Sequence, residues 1–189
     1  MRTGIIIVTY NAHEIFLKQI ERIKKHCKDD YEIIIIDNST KEESINAIEW
    51  YCNEINLRRI KTKADSENGS GSHAFAANVS YNILKDSFDF LFYLDHDCFP
   101  VKDFSVQEIL GDNLFAGIGQ GKLKKYLWPG CFMFNNGAIN KELIDFNTNS
   151  EFKLDTGGNL YKCLEAYPEA IRYFNEVHTE NPTFKKSFY

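Results

Sequence analysis

The chain opens on a short run with no polar alternation, Gly4–Thr9 (GIIIVT). Such a strand is buried on both faces, as in a parallel sheet. Asn11 follows, with Glu14 three residues later, the pattern of a capped helix start. Phe16, Ile20, Ile23 and Cys27 then recur at steps of 4, 3 and 4, which is one face of a helix. Tyr31–Ile36 (YEIIII) repeats the buried-strand pattern, and Ser39 with Glu42 repeats the capping pattern. Ile45, Ile48, Cys52 and Ile55 form a second apolar helical face. Arg59–Thr62 is expected as a short third strand, and Phe88–Leu94 (FDFLFYL) as a fourth. Between them, Ser72 is expected to cap a helix running to Leu84. Further on, Phe115–Gly121, Trp128–Phe134 and a helix near Leu160–Phe174 are expected elements whose pairing the pattern leaves open.

This β-α-β-α-β-α-β alternation predicts the α/β class, with a Rossmann-like, mostly parallel central sheet and right-handed crossovers. Ligands of such sheets bind beyond the carboxyl ends of the strands. The polar residues after each strand are therefore the candidates: Tyr10 and Asn11, then Asp37, Asn38 and Ser39, then Asp95, His96 and Asp97.

Composition narrows the picture. A length of 189 residues fits one domain, expected to span 1–189. With 43% hydrophobic and 26% charged residues, the chain reads as globular rather than disordered. The 22 Lys and Arg against 27 Asp and Glu give a net charge of −5, which argues against a nucleic-acid binder. The 5 cysteines are odd in number and contain no CxxC, excluding a zinc ribbon and a disulfide framework. Reduced thiols suit a cytoplasmic location. No apolar run approaches the ~18 residues of a membrane span, and Ile5–Val8 is too short for a signal peptide. Without such a signal, the sequons at Asn38, Asn68 and Asn78 are chance matches. The Gly/Ser stretch Asn68–Ser72 lies between strong periodic segments and reads as a loop inside the domain.

Asp95 and Asp97 carry the sharpest chemistry. Side chains at i and i+2 of a strand point the same way, and two carboxylates there repel unless a cation compensates. Mg²⁺ or Mn²⁺ suits such oxygen ligands and then holds a substrate diphosphate. A solvated turn closed by Pro100 is the alternative.

With these pieces in place, the chain resembles the family-2 glycosyltransferases, which have the GT-A fold. The resembling segments are IIIVTYN (Ile5–Asn11), EIIIIDNST (Glu32–Thr40), AFAANVSYN (Ala74–Asn82) after the Gly-Ser loop, and FLFYLDHD (Phe90–Asp97). WPGCFMF (Trp128–Phe134) is similar to the family's later acceptor-side strand, so the resemblance covers roughly residues 4–135. It implies a metal-dependent transfer of a sugar from a UDP-, GDP- or dTDP-linked donor to a hydroxyl acceptor, with inversion. The acceptor is a glycan, a lipid-linked species or another alcohol. It divides the chain into a nucleotide-sugar half, 1–97, and an acceptor half, 98–189, the latter small enough that a partner or a membrane surface could assist.

Residue by residue, the resemblance implies that Thr9, Tyr10 and Asn11 form the first nucleotide-contact loop. Asp37 takes the nucleobase edge with Ser39 beside it, Asn78 approaches the nucleotide, and Asp95 and Asp97 bind the diphosphate through the metal. His73 is a candidate for the diphosphate or a solvated helix start. His178 corresponds to a late His that completes the metal shell, or is simply exposed. A general base is needed for the acceptor proton. Asp155, before paired glycines, is the choice, with a helix cap as its alternative and Glu151 and Asp145 as fallbacks. The family's Glu-Asp pair is absent. Trp128 could stack on a sugar ring or join the core.

Other motifs fall away. Gly117-x-Gly119-x-Gly121-Lys122 has Ala116 and Leu123 where a P-loop needs Gly and Ser/Thr. No G-x-G-x-x-G follows the first strand, against a dinucleotide dehydrogenase. A haloacid-dehalogenase-type phosphohydrolase would want Thr or Val where Phe99 stands, on the first strand. A nucleotidyltransferase would want a Gly-rich loop in place of Thr9–His13. Cys98 lacks a partner base and reads as structural. A binding module without catalysis is the remaining alternative.

Overall fold

The computed structural model describes residues 1–63 and 69–174, and the backbone of 176–177 and 187–188. His178 lies outside the described residues. The elements are β1 (Thr3–Thr9), α1 (His13–His26), β2 (Tyr31–Asp37), α2 (Glu42–Glu54), β3 (Arg58–Lys61), α3 (Gly69–Leu84), β4 (Phe90–Asp95), α4 (Val106–Leu110), β5 (Phe115–Gln120), β6 (Tyr126–Asn135), α5 (Tyr161–Ala166), β7 (Ile171–Tyr173), β8 (Glu176–Val177) and β9 (Ser187–Phe188). The first seven strands form one sheet in the order β3-β2-β1-β4-β6-β5-β7. Only β6 runs antiparallel to its neighbours in it. This is the expected mostly parallel α/β sheet. It continues unbroken past residue 97, because β6 pairs with β4.

The apolar strands are buried on both faces because helices cover both. Ile5, Ile7, Ile33 and Ile35 pack with Phe16, Ile20 and Ile23 of α1 and Ile48 and Cys52 of α2. Ile6, Val8, Ile34 and Ile36 point the other way, onto Ala76, Ala77, Tyr81 and Leu84 of α3. The chain therefore reverses direction across the sheet between β1 and β4. At such a switch point the two loops part and leave a crevice at the carboxyl ends of the strands.

Four local expectations are corrected. Asn11 does not cap α1. It adopts φ 51°, and the cap position is Ala12, with no side-chain hydrogen bond. Ser39 does not cap α2, which starts after Lys41. Ser72 lies one turn inside α3, which begins at Gly69. The helix expected near Leu160–Phe174 ends at Ala166, two residues before Pro168, and the chain then extends into β7 on the sheet edge. Proline's missing N–H and its restriction on the preceding residue favour that stop.

Candidate active site

A cleft of about 320 Å³ opens at the switch point. It is lined by Val8 and Tyr10 at the end of β1, Asn38 after β2, Asp95 and His96 at the end of β4, and Gly69, Ser72 and His73 in the first turn of α3. Five of the candidate residues, Tyr10, Asn38, His73, Asp95 and His96, therefore meet across one cavity. The 16-residue helix α3 directs its N-terminus at it, where partial positive charge favours an anion.

The remaining nucleotide candidates shape the cleft from behind. Thr9 is fully buried, and its hydroxyl has no hydrogen-bond partner. Strand alternation sends Thr9 away from the face that Val8 and Tyr10 present. Asn11 bridges to the next loop, its Oδ1 accepting from the N–H groups of Thr40 and Lys41 at 3.1 and 2.9 Å. The Asn11 N–H in turn donates to Ser39 Oγ at 2.9 Å. Asp37 has no exposed side-chain surface. Its Oδ2 accepts from Arg59 Nη2 at 2.7 Å and Nε at 3.1 Å, and its Oδ1 accepts from the Ser39 N–H at 2.9 Å. In this geometry the carboxylate presents no oxygen to the cleft. Asn78, half-buried on α3, accepts from the Phe146 N–H at 3.0 Å and so ties the second half of the chain to the first.

The D-x-D segment is not a continued strand. β4 ends at Asp95, and the Cys98 N–H donates to the Asp95 carbonyl at 3.0 Å to close a turn. The i, i+2 argument therefore does not place Asp97 beside Asp95. Asp95 is 20% exposed in the cleft, while Asp97 is exposed on the turn. Gln19 holds this turn from below. It is fully buried on α1, and its amide donates to the carbonyls of Asp95 and Cys98 at 2.7 and 2.8 Å. Sequence reasoning missed Gln19, although a polar residue beside Ile20 on an apolar helical face was the available signal. Asn38, one of the strand-end candidates, does line the cleft, and its Nδ2 donates to Ser72 Oγ at 3.0 Å.

Opposite Asp95, β6 departs from regular pairing. Gly117 pairs with Phe132 and Gly119 with Leu127, so Trp128–Cys131 bulges against Ile118 alone. Pro129 cannot donate to a ladder, which suits a bulge. Gly130 leaves room that a side chain would fill. A Cβ there would stand 2.2 Å from the Trp128 indole and 2.5 Å from Asp95 Oδ2. Trp128 thus lies half-buried beside the Asp95 carboxylate. Pro129 packs on Gly157, which has φ +79°, and a Cβ at Gly157 would stand 2.4 Å from Pro129 Cγ.

Asp155 belongs to a neighbouring depression of about 540 Å³, lined among others by Gln120, Leu123, Tyr126 and Phe152. Asp155 is exposed, and its Oδ1 accepts from the Thr156 N–H at 2.7 Å. It precedes a turn and a short 3-10 helix (Gly158–Leu160) rather than an α-helix. Burial and the nearby Asp155 charge push the Tyr126 hydroxyl pKa upward. Thr156 Oγ1 donates to the Ser70 carbonyl at 2.9 Å, so this loop touches the start of α3. Of the fallbacks, Glu151 is exposed and Asp145 is engaged by Asn159 Nδ2 at 2.7 Å.

All five cysteines are unpaired. Burial, then Cys131, Asp97 and Asp95, push the Cys98 thiol far up, which favours its neutral form. No group of three or more His, Cys, Asp or Glu converges as a metal centre among the described residues. The donor chemistry still fits a hard divalent cation. Such ions take one or two carboxylates and complete their shell with phosphate oxygens and water, and Asp95 and Asp97 offer those carboxylates. Among the described residues, no helix is long and apolar enough to cross a membrane.

Residues 4–111 match the profile described as Glycosyl transferase family 2. Comparison with curated protein sequences finds no match. Among solved structures, the fold is similar to a mannosyltransferase from Pyrobaculum calidifontis in complex with GDP-Man and Mn²⁺. The TM-score is 0.62 and the identity 13%, over 90% of this chain and 54% of that one. It is similar to the galactosyltransferase LgtC, solved with donor and acceptor sugar analogs, with TM-score 0.55 and 14% identity over 91% of this chain and 73% of that one. It is also similar to S. aureus TarS 1–349 in complex with UDP, with TM-score 0.57 and 15% identity over 90% and 57% of the respective chains. At these identities the likeness is one of GT-A fold. The chain spans about half the length of the mannosyltransferase.

Proposed function

Since the chain belongs to glycosyl transferase family 2, we propose that it moves a sugar from a nucleotide-diphosphate donor to a hydroxyl acceptor. The observation that carries this reading is the cleft at the switch point, where Asp95 faces the N-terminal turn of α3. Tyr10 and Asn38 flank the nucleoside. The α3 N-terminus meets the diphosphate with its partial positive charge. Asp95 and Asp97 hold Mn²⁺ or Mg²⁺, and a bound cation offsets the negative charge that develops on the leaving diphosphate. The similar folds of enzymes in complex with GDP-Man and Mn²⁺, or with UDP, support this assignment.

Asp37, Ser39 and Asn11 act on the nucleotide indirectly, by fixing the loops that carry Tyr10 and Asn38. Gln19 does the same for the Asp95–Cys98 turn. The acceptor occupies the depression beside Asp155, which removes the proton from its hydroxyl, and attack from that side inverts the sugar. The contacts of Pro129 with Gly157 and of Thr156 with Ser70 bring this loop against the donor cleft.

The test is a panel of UDP-, GDP- and dTDP-sugars screened by thermal shift with and without Mn²⁺. A donor that binds only the native state raises the melting temperature. We expect one nucleotide class to do so, strongly only with the cation, and to be turned over when alcohol acceptors are supplied. Absence of any nucleotide-dependent shift would overturn the reading. A cation-dependent shift with no turnover on any acceptor would favour a binding module.

A further inference from the structure

His73 and Asp95 stand against each other in the cleft in a way that a simple ion pair does not explain. Nε2 of His73 lies 3.0 Å from Oδ1 of Asp95. Yet that nitrogen is buried and has no hydrogen-bond partner, because the contact lacks the alignment a hydrogen bond requires. A buried polar atom of this kind calls for a partner. The other oxygen of Asp95 lies over Gly130, near the Trp128 indole, and Gln19 fixes the backbone of the same residue. His73 is fixed too, one turn into α3. Two donor atoms about 3 Å apart, not aimed at each other, have the spacing of adjacent ligands in an octahedral shell whose bonds are about 2.1 Å.

We infer that His73 is itself a ligand of the cation, sharing it with Asp95, and that it biases the site toward Mn²⁺ or Co²⁺ over Mg²⁺. This rests on the proposed reading of the cleft as a nucleotide–cation site. Imidazole nitrogen binds transition metals better than it binds Mg²⁺, whose ligands are oxygens. Asp97, on the exposed turn, then approaches from the solvent side, and diphosphate oxygens and water fill the remaining positions. The lone pair on Nε2 serves the metal while the ring proton stays on Nδ1.

The experiment is electron spin-echo envelope modulation of Mn²⁺ on the full chain, with and without UDP, in ordinary protein and in protein labelled with ¹⁵N-histidine. The expected spectrum shows coupling to a coordinated imidazole nitrogen that changes on labelling. In His73→Gln the coupling should vanish, and the preference for Mn²⁺ over Mg²⁺ in calorimetry should fall on the order of tenfold. Unlabelled wild type without nitrogen coupling would overturn the inference. So would a variant that keeps the coupling, which would assign it to another histidine. The labelled wild type needs no substitution, so a poorly folded variant does not stall the test. Should none of UDP, GDP and dTDP bind the wild type, the nucleotide reading falls, and the Mn²⁺-only spectrum still decides the ligand.

Discussion

Asp37 offers the clearest separation between a residue that touches the nucleotide and one that holds the site together. Its carboxylate is fully enclosed and accepts two hydrogen bonds from Arg59 and one from the Ser39 N–H. Arg59 is itself only 15% exposed. Asp37→Ala leaves that guanidinium buried without its main partner, a loss of about 3–5 kcal/mol for a buried pair. Arg59 keeps Glu49, at 3.0 Å. That partner is exposed, and pairs of this kind contribute about 0–1 kcal/mol. The lower end of the range follows, and the orphaned Ser39 N–H adds about 1 kcal/mol, giving about 3–4 kcal/mol. With a urea m-value of about 2 kcal/mol/M, the midpoint should fall by about 1.5–2 M with the slope unchanged. Removing both charges, in Asp37→Leu with Arg59→Met, should recover most of the loss, since nothing charged is left buried. Nucleotide affinity, measured under conditions where each variant is folded, should change far less than stability. The reasoning fails if Asp37→Ala stays within about 1 kcal/mol of wild type while nucleotide binding collapses, because Asp37 would then meet the base itself.

The other expectations concern the same cleft and its surroundings. Gly130→Ala should remove cation-dependent donor binding at a stability cost of about 1–3 kcal/mol. The new methyl must displace the Trp128 ring and Asp95 Oδ2, and calorimetry beside urea unfolding reads both effects. Asp155→Asn should lower turnover by about 10²–10⁴-fold with donor affinity near wild type; near-normal turnover would move the base to Glu151 or Asp145. Burial pushes the thiols of Cys27 and Cys52 up to about 11. The unfolded chain releases these protons near pH 8.5, while the native state holds them longer. Stability is therefore full below that value and declines as pH rises toward 11. Urea midpoints followed upward from pH 8 should fall along this course, and Cys52→Ala should flatten it.

The sequence by itself determined the parts of this protein that repeat at a local period. Unbroken Ile runs could only be strands buried on both sides, and the 3–4 spacing of Phe16, Ile20 and Ile23 could only be a helix face turned to them. Strand–helix alternation then put the candidate site at the strand ends, where Tyr10 and Asp95 line one cleft. Which way a side chain points once a strand stops was not legible, because alternation holds only within the ladder. Asp97 leaves the strand on a turn. Asn11 and Ser39 looked like caps of their own helices but bind each other's loops, across 28 residues of chain. Asp37 found Arg59 on the next strand, where a buried carboxylate needs a cation more than it needs a ligand. The placement of β6 between β4 and β5, and the bulge that sets Gly130 and Trp128 against Asp95, depend on pairing between distant segments, to which no local pattern is sensitive. The tertiary structure alone decided which of the strand-end residues face the cleft and which build its walls.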